Sequence, residues 1–253
     1  MDSTTSAADQ QALLSAALHY AELGYPVFHC VPGDQNPLTK HGFLDASTDP
    51  GQIQQWWTTW PTANIGIPTE GLIVVDVDSL KDGSTNIWPN DPDRAIELAV
   101  GAMAITPRGG RHYWFRQPVG KNWRNTASQM APYVDTRANG GYVVVPPSIR
   151  PDGTYRWVEG LDLDVSPACL PEPPAWLTVM LDGLGTKRTT MPRGAPENGE
   201  ANRIPEGQRN TTLTSLAGSM RCRNFSYKAI LTALLVPLLR MKTNQLSPSV
   251  IAL

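Results

Sequence analysis

The stretch Leu72-Ile73-Val74-Val75-Asp76-Val77-Asp78-Ser79 limits the possible folds of this chain more than any other. Four apolar residues, three of them β-branched, run directly into two carboxylates. That pattern reads as a buried strand whose C-terminal end carries charge. Side chains alternate along a strand, so Asp76 and Asp78 share one face while Val75 and Val77 share the other. Neighbouring carboxylates raise each other's pKa unless a cation lies between them. A hard divalent ion with oxygen ligands, Mg²⁺ or Mn²⁺, is the economical partner. On this stretch alone, a strand ending in a solvated Asp-rich turn is the competing reading.

The remaining composition narrows the classes. A chain of 253 residues accommodates one substantial domain plus a smaller unit. A hydrophobic content of 41% with 17% charged residues belongs to a globular protein. The formal net charge of −2 supplies no bulk basic field, so any contact with nucleic acid must use a local patch. The cysteines, Cys30, Cys169 and Cys222, are odd in number and far apart, which argues against a disulfide framework or a cysteine zinc site. No apolar run has the length of a membrane span, and no membrane partner is expected. Asp2 and Asp9, with no basic stretch before an apolar core, do not read as a secretory leader, so the expected compartment is cytoplasmic.

Taken in order, residues 1–9 read as a frayed lead-in. Leu14, Leu18 and Ala21 then set a helical period over Ala12 to Leu23, with Gly24 just past its end. Tyr25 to Val31 reads as a strand, with His29 incidental to it. The turn-rich Pro32-Gly33-Asp34-Gln35-Asn36-Pro37 leads to Lys40-His41-Gly42, where a lysine beside a glycine suits phosphate contact or, equally, a solvated loop. Ser47-Thr48-Asp49-Pro50 is a helix start, with a capping hydroxyl and proline at an early position. The helix that follows carries Ile53, Trp56, Trp57 and Trp60, a spacing expected to pack onto a core rather than to stack bases. Asn64 to Pro68 is a further strand, and Asp93 is expected to cap a helix from Arg94 to about Val100.

Two turn signals follow. Met103 to Thr106 and Arg111 to Phe115 flank Pro107-Arg108-Gly109-Gly110, a hairpin whose glycine tip lies between Arg108 and Arg111 and opens onto His112. Backbone N–H groups beside two cations make a plausible oxyanion or phosphate cradle. Asn139-Gly140-Gly141, between Tyr133–Ala138 and Tyr142–Val145, predicts a second hairpin. Asp135 and Arg137 lie on one face of its first strand. Thr154 to Trp157 then closes the sheet. A short amphipathic piece runs from Ala175 to Leu181. Residues 183–205 are polar and rich in Gly and Pro, and read as a linker. Gln208–Arg221 and Ser226–Arg240 read as two helices. The expected layout is a catalytic domain over 10–180, a linker over 181–205 and a small helical unit over 206–242.

Asp76-Val77-Asp78, Gly110-Arg111-His112 and Asp135, in that order and near strand ends, resemble the bifunctional primase–polymerase domain of the archaeo-eukaryotic primase superfamily. The resemblance covers about Ala12 to Leu177. It includes Lys40-His41-Gly42-Phe43, Asn64-Ile65-Gly66-Ile67 and Pro146-Pro147-Ser148. Gln208-Arg209-Asn210 with Leu213 and Leu216-Ala217-Gly218 resembles the small helical domain found C-terminal to such primases, and a truncated or stand-alone version of that arrangement is expected. One departure is Gly110, where the wider superfamily often has Ser-x-His.

The resemblance implies an α+β fold with a central mixed or antiparallel sheet flanked by helices, an RRM-like palm, plus the small helical unit. It implies a nucleotidyltransferase of plasmid or phage replication that makes and extends primers from NTPs or dNTPs on a single-stranded DNA template, beside a separate helicase. Asp76, Asp78 and Asp135 would hold two Mg²⁺ or Mn²⁺ ions that activate a 3′-hydroxyl and bridge the incoming triphosphate. His112 would contact the triphosphate, with Lys40, Arg108, Arg111 and Arg137 neutralising the remaining charge. Two alternatives stay open. One is a metal-dependent nuclease or replication-initiator endonuclease, whose nicking version needs a pair of histidines and a nucleophilic tyrosine, where His112-Tyr113-Trp114 offers one histidine. A non-catalytic nucleotide- or DNA-binding module is the other.

Overall fold

Residues 6–185 are described by a computed structural model. α1 spans Ala7–Glu22, and Ser6 and Asp9 close a reciprocal capping box at its start. This helix therefore begins within the stretch expected to fray. Gly24, at φ +94°, turns the chain out of it into β1, Phe28–Cys30. α2 spans Pro50–Thr59, with proline in the first turn as the sequence predicts, but its cap is the Asp49 carboxylate, accepting from the backbone N–H of Gln52, rather than a hydroxyl. β2 covers Asn64–Pro68 and β3 covers Leu72–Val77. α3 runs over Pro92–Leu98, and its cap is Asp91 rather than the expected Asp93. Asp91 Oδ1 takes the N–H groups of both Asp93 and Arg94.

β4, Ala102–Ile105, and β5, Arg111–Arg116, form the expected glycine-tipped hairpin. β6, Thr126–Ala131, was not evident in the sequence, and it pairs with β7, Val134–Arg137. β8 is Tyr142–Val145, β9 Ile149–Arg150, β10 Gly153–Thr154 and β11 Arg156–Trp157. α4 spans Ala175–Gly185, so the helix continues beyond Leu181 into residues expected to start the linker. The remaining linker and the predicted helical unit lie outside the described residues.

The strands form an α+β architecture. A six-stranded sheet has the order β11-β4-β5-β3-β7-β6, a three-stranded sheet the order β1-β2-β8, and β9 and β10 make a small ribbon. All the ladders are antiparallel. The second predicted hairpin is corrected here: Asn139-Gly140-Gly141 carries the chain from one sheet to the other. β7 is already paired on both edges, with β3 and β6, so β8 pairs with β2 instead. Asn139 anchors the crossover by accepting from the Gly71 N–H and the Gln117 amide.

Alternation along β3 divides the core. Ile73, Val75 and Val77 pack with Tyr113, Phe115, Leu98, Leu177 and Leu181 on the α3/α4 side. Leu72 and Val74 pack with Trp114, Ile65, Ile67 and residues of α1 and α2 on the other. Gly66 lets β2 approach β1 closely, since a Cβ there would lie 2.3 Å from the Phe28 ring. The tryptophan helix behaves only partly as expected. Ile53 and Trp57 are buried, whereas Trp60 is 39% exposed.

Candidate active site

β3 is central in its sheet, and its ladder brings the polar residues together. Asp76 lies opposite His112 of β5 on one side and opposite Asp135 of β7 on the other. Directly opposed residues point to the same face of a sheet, so these three side chains share a face although they are far apart in sequence. Arg137, opposite Val74, shares it too. Asp78 follows the strand end, where its backbone N–H donates to the Tyr133 carbonyl.

Arg137 is the cation between the carboxylates. Its Nη2 lies 3.2 Å from Asp135 Oδ2 and 3.7 Å from Asp76 Oδ2. Asp135 Oδ1 accepts from the Ser128 N–H at 2.7 Å. His112 Nε2 is 3.3 Å from Asp76 Oδ1, in a geometry that falls short of a hydrogen bond. Asp76 Oδ1 is thus buried without a hydrogen-bond partner, as is His112 Nδ1. Burial opposes charge on Asp76, but His112 and then Arg137 outweigh it and hold its carboxyl below the ordinary value. Asp78 goes the other way: burial on its inner side, then the charges of Asp76 and Asp135, raise it.

The other predicted cations fall in different places. Arg108 is exposed at the hairpin tip and ion-paired with Asp152, and the charge of Asp78 also acts on it. Arg111 is not brought to the carboxylates. It is one residue from His112 and therefore on the opposite face, where its Nη1 donates to the Asn86 carbonyl. Lys40 lines a groove beside α2. Two neighbours were missed in the sequence. Tyr155 sets its ring 6.0 Å from that of His112 and feels the charge of Asp76. Arg150 lies 3.6 Å from Asp152, so two arginines flank one carboxylate at the rim. The alternation of Arg150, Asp152 and Arg156 around Tyr155 was the available signal.

The Gly110 departure has a steric cause. A Cβ at this position would lie 2.7 Å from the Val77 carbonyl oxygen and 2.8 Å from Thr106 Oγ1. The hairpin turn presses directly on the end of β3, leaving no room for a serine.

A family model for the N-terminal domain of bifunctional DNA primase/polymerases matches residues 17–176. The chain belongs to this family. The match takes in both sheets, the carboxylate-bearing strands and the Gly110-to-His112 turn. Membership gives DNA primase/polymerase-type activity at the level of the family, that of a nucleotidyltransferase acting with DNA and nucleotides in replication. No curated protein matches the chain. No helix among the described residues is long and apolar enough to cross a membrane.

Among the described residues no group of three or more His, Cys, Asp and Glu side chains forms a ready-made metal cage. The guanidinium of Arg137 stands between Asp76 and Asp135 instead. The donor chemistry nevertheless fits a hard divalent ion. Asp76 offers a buried oxygen with no hydrogen-bond partner, and the ionised form of Asp78 is destabilised by burial and then by two other carboxylates.

Proposed function

We propose that this family member performs template-directed nucleotidyl transfer, making and extending primers on single-stranded DNA in plasmid or phage-type replication. The observation that carries this reading is the ladder register. Asp76 is flanked on one sheet face by Asp135 and His112, each contributed by a different strand.

Asp76, Asp78 and Asp135 would hold Mg²⁺ or Mn²⁺. Bound ions supply positive charge at an attacking 3′-hydroxyl and a departing pyrophosphate. The protein's own groups do the positioning. His112, beside Tyr155 and Asp76 on the same sheet face as the carboxylates, would contact the triphosphate. Arg137 binds the carboxylates and turns to phosphate once their charge is met otherwise. Arg108 and Arg150, both tied to Asp152, present cations at the rim where a triphosphate tail would leave the site. The reaction would take place in the cytoplasm, beside a separate helicase.

A tyrosine-dependent nicking reaction receives no support. Tyr113 is 4% exposed and packs on the α3/α4 side, away from His112. The test is incorporation of labelled NTPs and dNTPs on a single-stranded template with each metal. Asp76→Ala and Asp135→Ala should lose incorporation, by at least about a hundredfold on the scale of lost transition-state charge stabilisation. Wild-type synthesis by Asp76→Ala would refute the assignment.

A further inference from the structure

The hairpin β6–β7 is more irregular than pairing at a sheet edge requires. Thr126 pairs with Thr136 and Ala131 with Val134, so residues 127–130 lie across from the single residue Asp135. A bulge of this kind bends its strand and re-aims a side chain, and bulges gather beside active sites. Among the described residues three other than glycine have positive φ. Two of them, Ser128 at +50° and Tyr133 at +60°, lie in this hairpin. L side chains crowd the backbone in that conformation, which persists only where the surroundings hold it.

Each of the two meets a carboxylate-bearing residue through its backbone. Ser128 lies inside the bulge, and its N–H donates to Asp135 Oδ1 at 2.7 Å. The residue is exposed, so core packing does not impose its conformation. Ala131 and Val134 are joined by a two-residue connection, Pro132-Tyr133. The usual two-residue turns need positive φ at their first residue, which proline cannot adopt. The reversal falls on Tyr133, whose carbonyl accepts from the Asp78 N–H at 2.9 Å.

We propose that the β6 bulge and its turn position the ion-binding carboxylates, with Ser128 and Tyr133 as positioning residues. On the nucleotidyl-transfer reading, on which this rests, Asp78 and Asp135 are ion ligands. With Oδ1 engaged by the Ser128 N–H, Asp135 presents Oδ2 to a cation, at present the Arg137 guanidinium at 3.2 Å. The Tyr133 carbonyl fixes the backbone of Asp78 just past the end of β3. Partners of this kind, behind a metal ligand, govern affinity by about tenfold or more. A bulge also protects a sheet edge from pairing with another chain. Edge protection alone would not require both bonds to fall on carboxylate-bearing residues.

The test is Mn²⁺ binding by the full chain without nucleotide or DNA, read from the loss of the free ion's electron paramagnetic resonance signal. Valine resists positive φ and would turn its N–H away, whereas glycine adopts that conformation freely. Ser128→Val should weaken Mn²⁺ binding about tenfold, and Ser128→Gly should stay within about twofold of the wild type. Tyr133→Val should bind more weakly than Tyr133→Gly, since both lack the ring and differ in the backbone they allow. In an Asp135→Ala background Ser128→Val should cost nothing further, because the bond it breaks is already gone. Wild-type affinity in folded Ser128→Val overturns the proposal, and so does an equal loss in Ser128→Gly. A changed oligomeric state with unchanged affinity assigns the bulge to edge protection and overturns it too, as does a wild type that binds no Mn²⁺. The two readings fail separately. Incorporation by Asp76→Ala strikes the catalytic one, whereas Mn²⁺ affinity indifferent to the Ser128 backbone strikes this one.

Discussion

Arg137→Met is the most informative single change at the acidic site, because it separates charge balance from catalysis. The guanidinium lies 3.2 Å from Asp135 and 3.7 Å from Asp76. At an effective dielectric of about 20, each contact is worth roughly 4–5 kcal/mol before solvation. The side chain is 36% exposed, so water and the cost of desolvation remove most of that. About 2 kcal/mol net is a reasonable remainder. For a domain of this size that corresponds to a fall in Tm of roughly 4–8 °C, measured by calorimetry at neutral pH without divalent ions.

The pH dependence has a definite sign. Burial works against ionisation of Asp76, but His112 and Arg137 hold its folded value below 3.8. Its stabilising contribution is therefore present above 3.8 and is lost as pH falls through the folded value. The deficit of Arg137→Met should be full at neutral pH and shrink in acid. Added Mg²⁺ or Mn²⁺ should raise the Tm of the variant more than that of the wild type, since an ion need no longer displace the guanidinium. An unchanged Tm, or equal ion-induced increments in both proteins, would refute the reasoning.

Two further outcomes follow from the same geometry. Asp78→Asn should raise the Tm at neutral pH and reduce the stabilisation by divalent ions. The folded pKa of Asp78 is raised, so its ionised form costs stability as pH climbs above 3.8, and the amide removes that cost; thermal melts with and without Mn²⁺ decide it. Gly110→Ala should cost about 1–3 kcal/mol in a denaturant titration and lower incorporation. Its Cβ forces the Val77 carbonyl, and with it the end of β3, to move.

The strand carrying Asp76 was legible because a β-branched run ending in charge has few other uses, and its observed bounds, Leu72–Val77, follow that run. The Gly-Gly hairpin was legible for a similar reason: Gly109 sits at φ +82°, a conformation that favours glycine. Asn139-Gly140-Gly141 misled because a turn signal reports that the chain bends, not which sheet it enters. β6 escaped notice because Thr126–Ala131, at an irregular edge, has no apolar alternation. Trp57 lies within α2 and Trp60 just past its end, and sequence spacing could not tell the buried ring from the exposed one.

Local sequence by itself determined the periodicities, the proline-led start of α2 and the faces of β3. Tertiary structure alone decided which strands flank β3. It thereby decided that His112 and Asp135 meet Asp76, that Arg137 neutralises the pair, and that Arg111 faces the other way. The physical reason lies in the ladder. Alternation is a property of a single strand, whereas register is a choice among distant partners, made by both sheet faces burying their apolar residues at once.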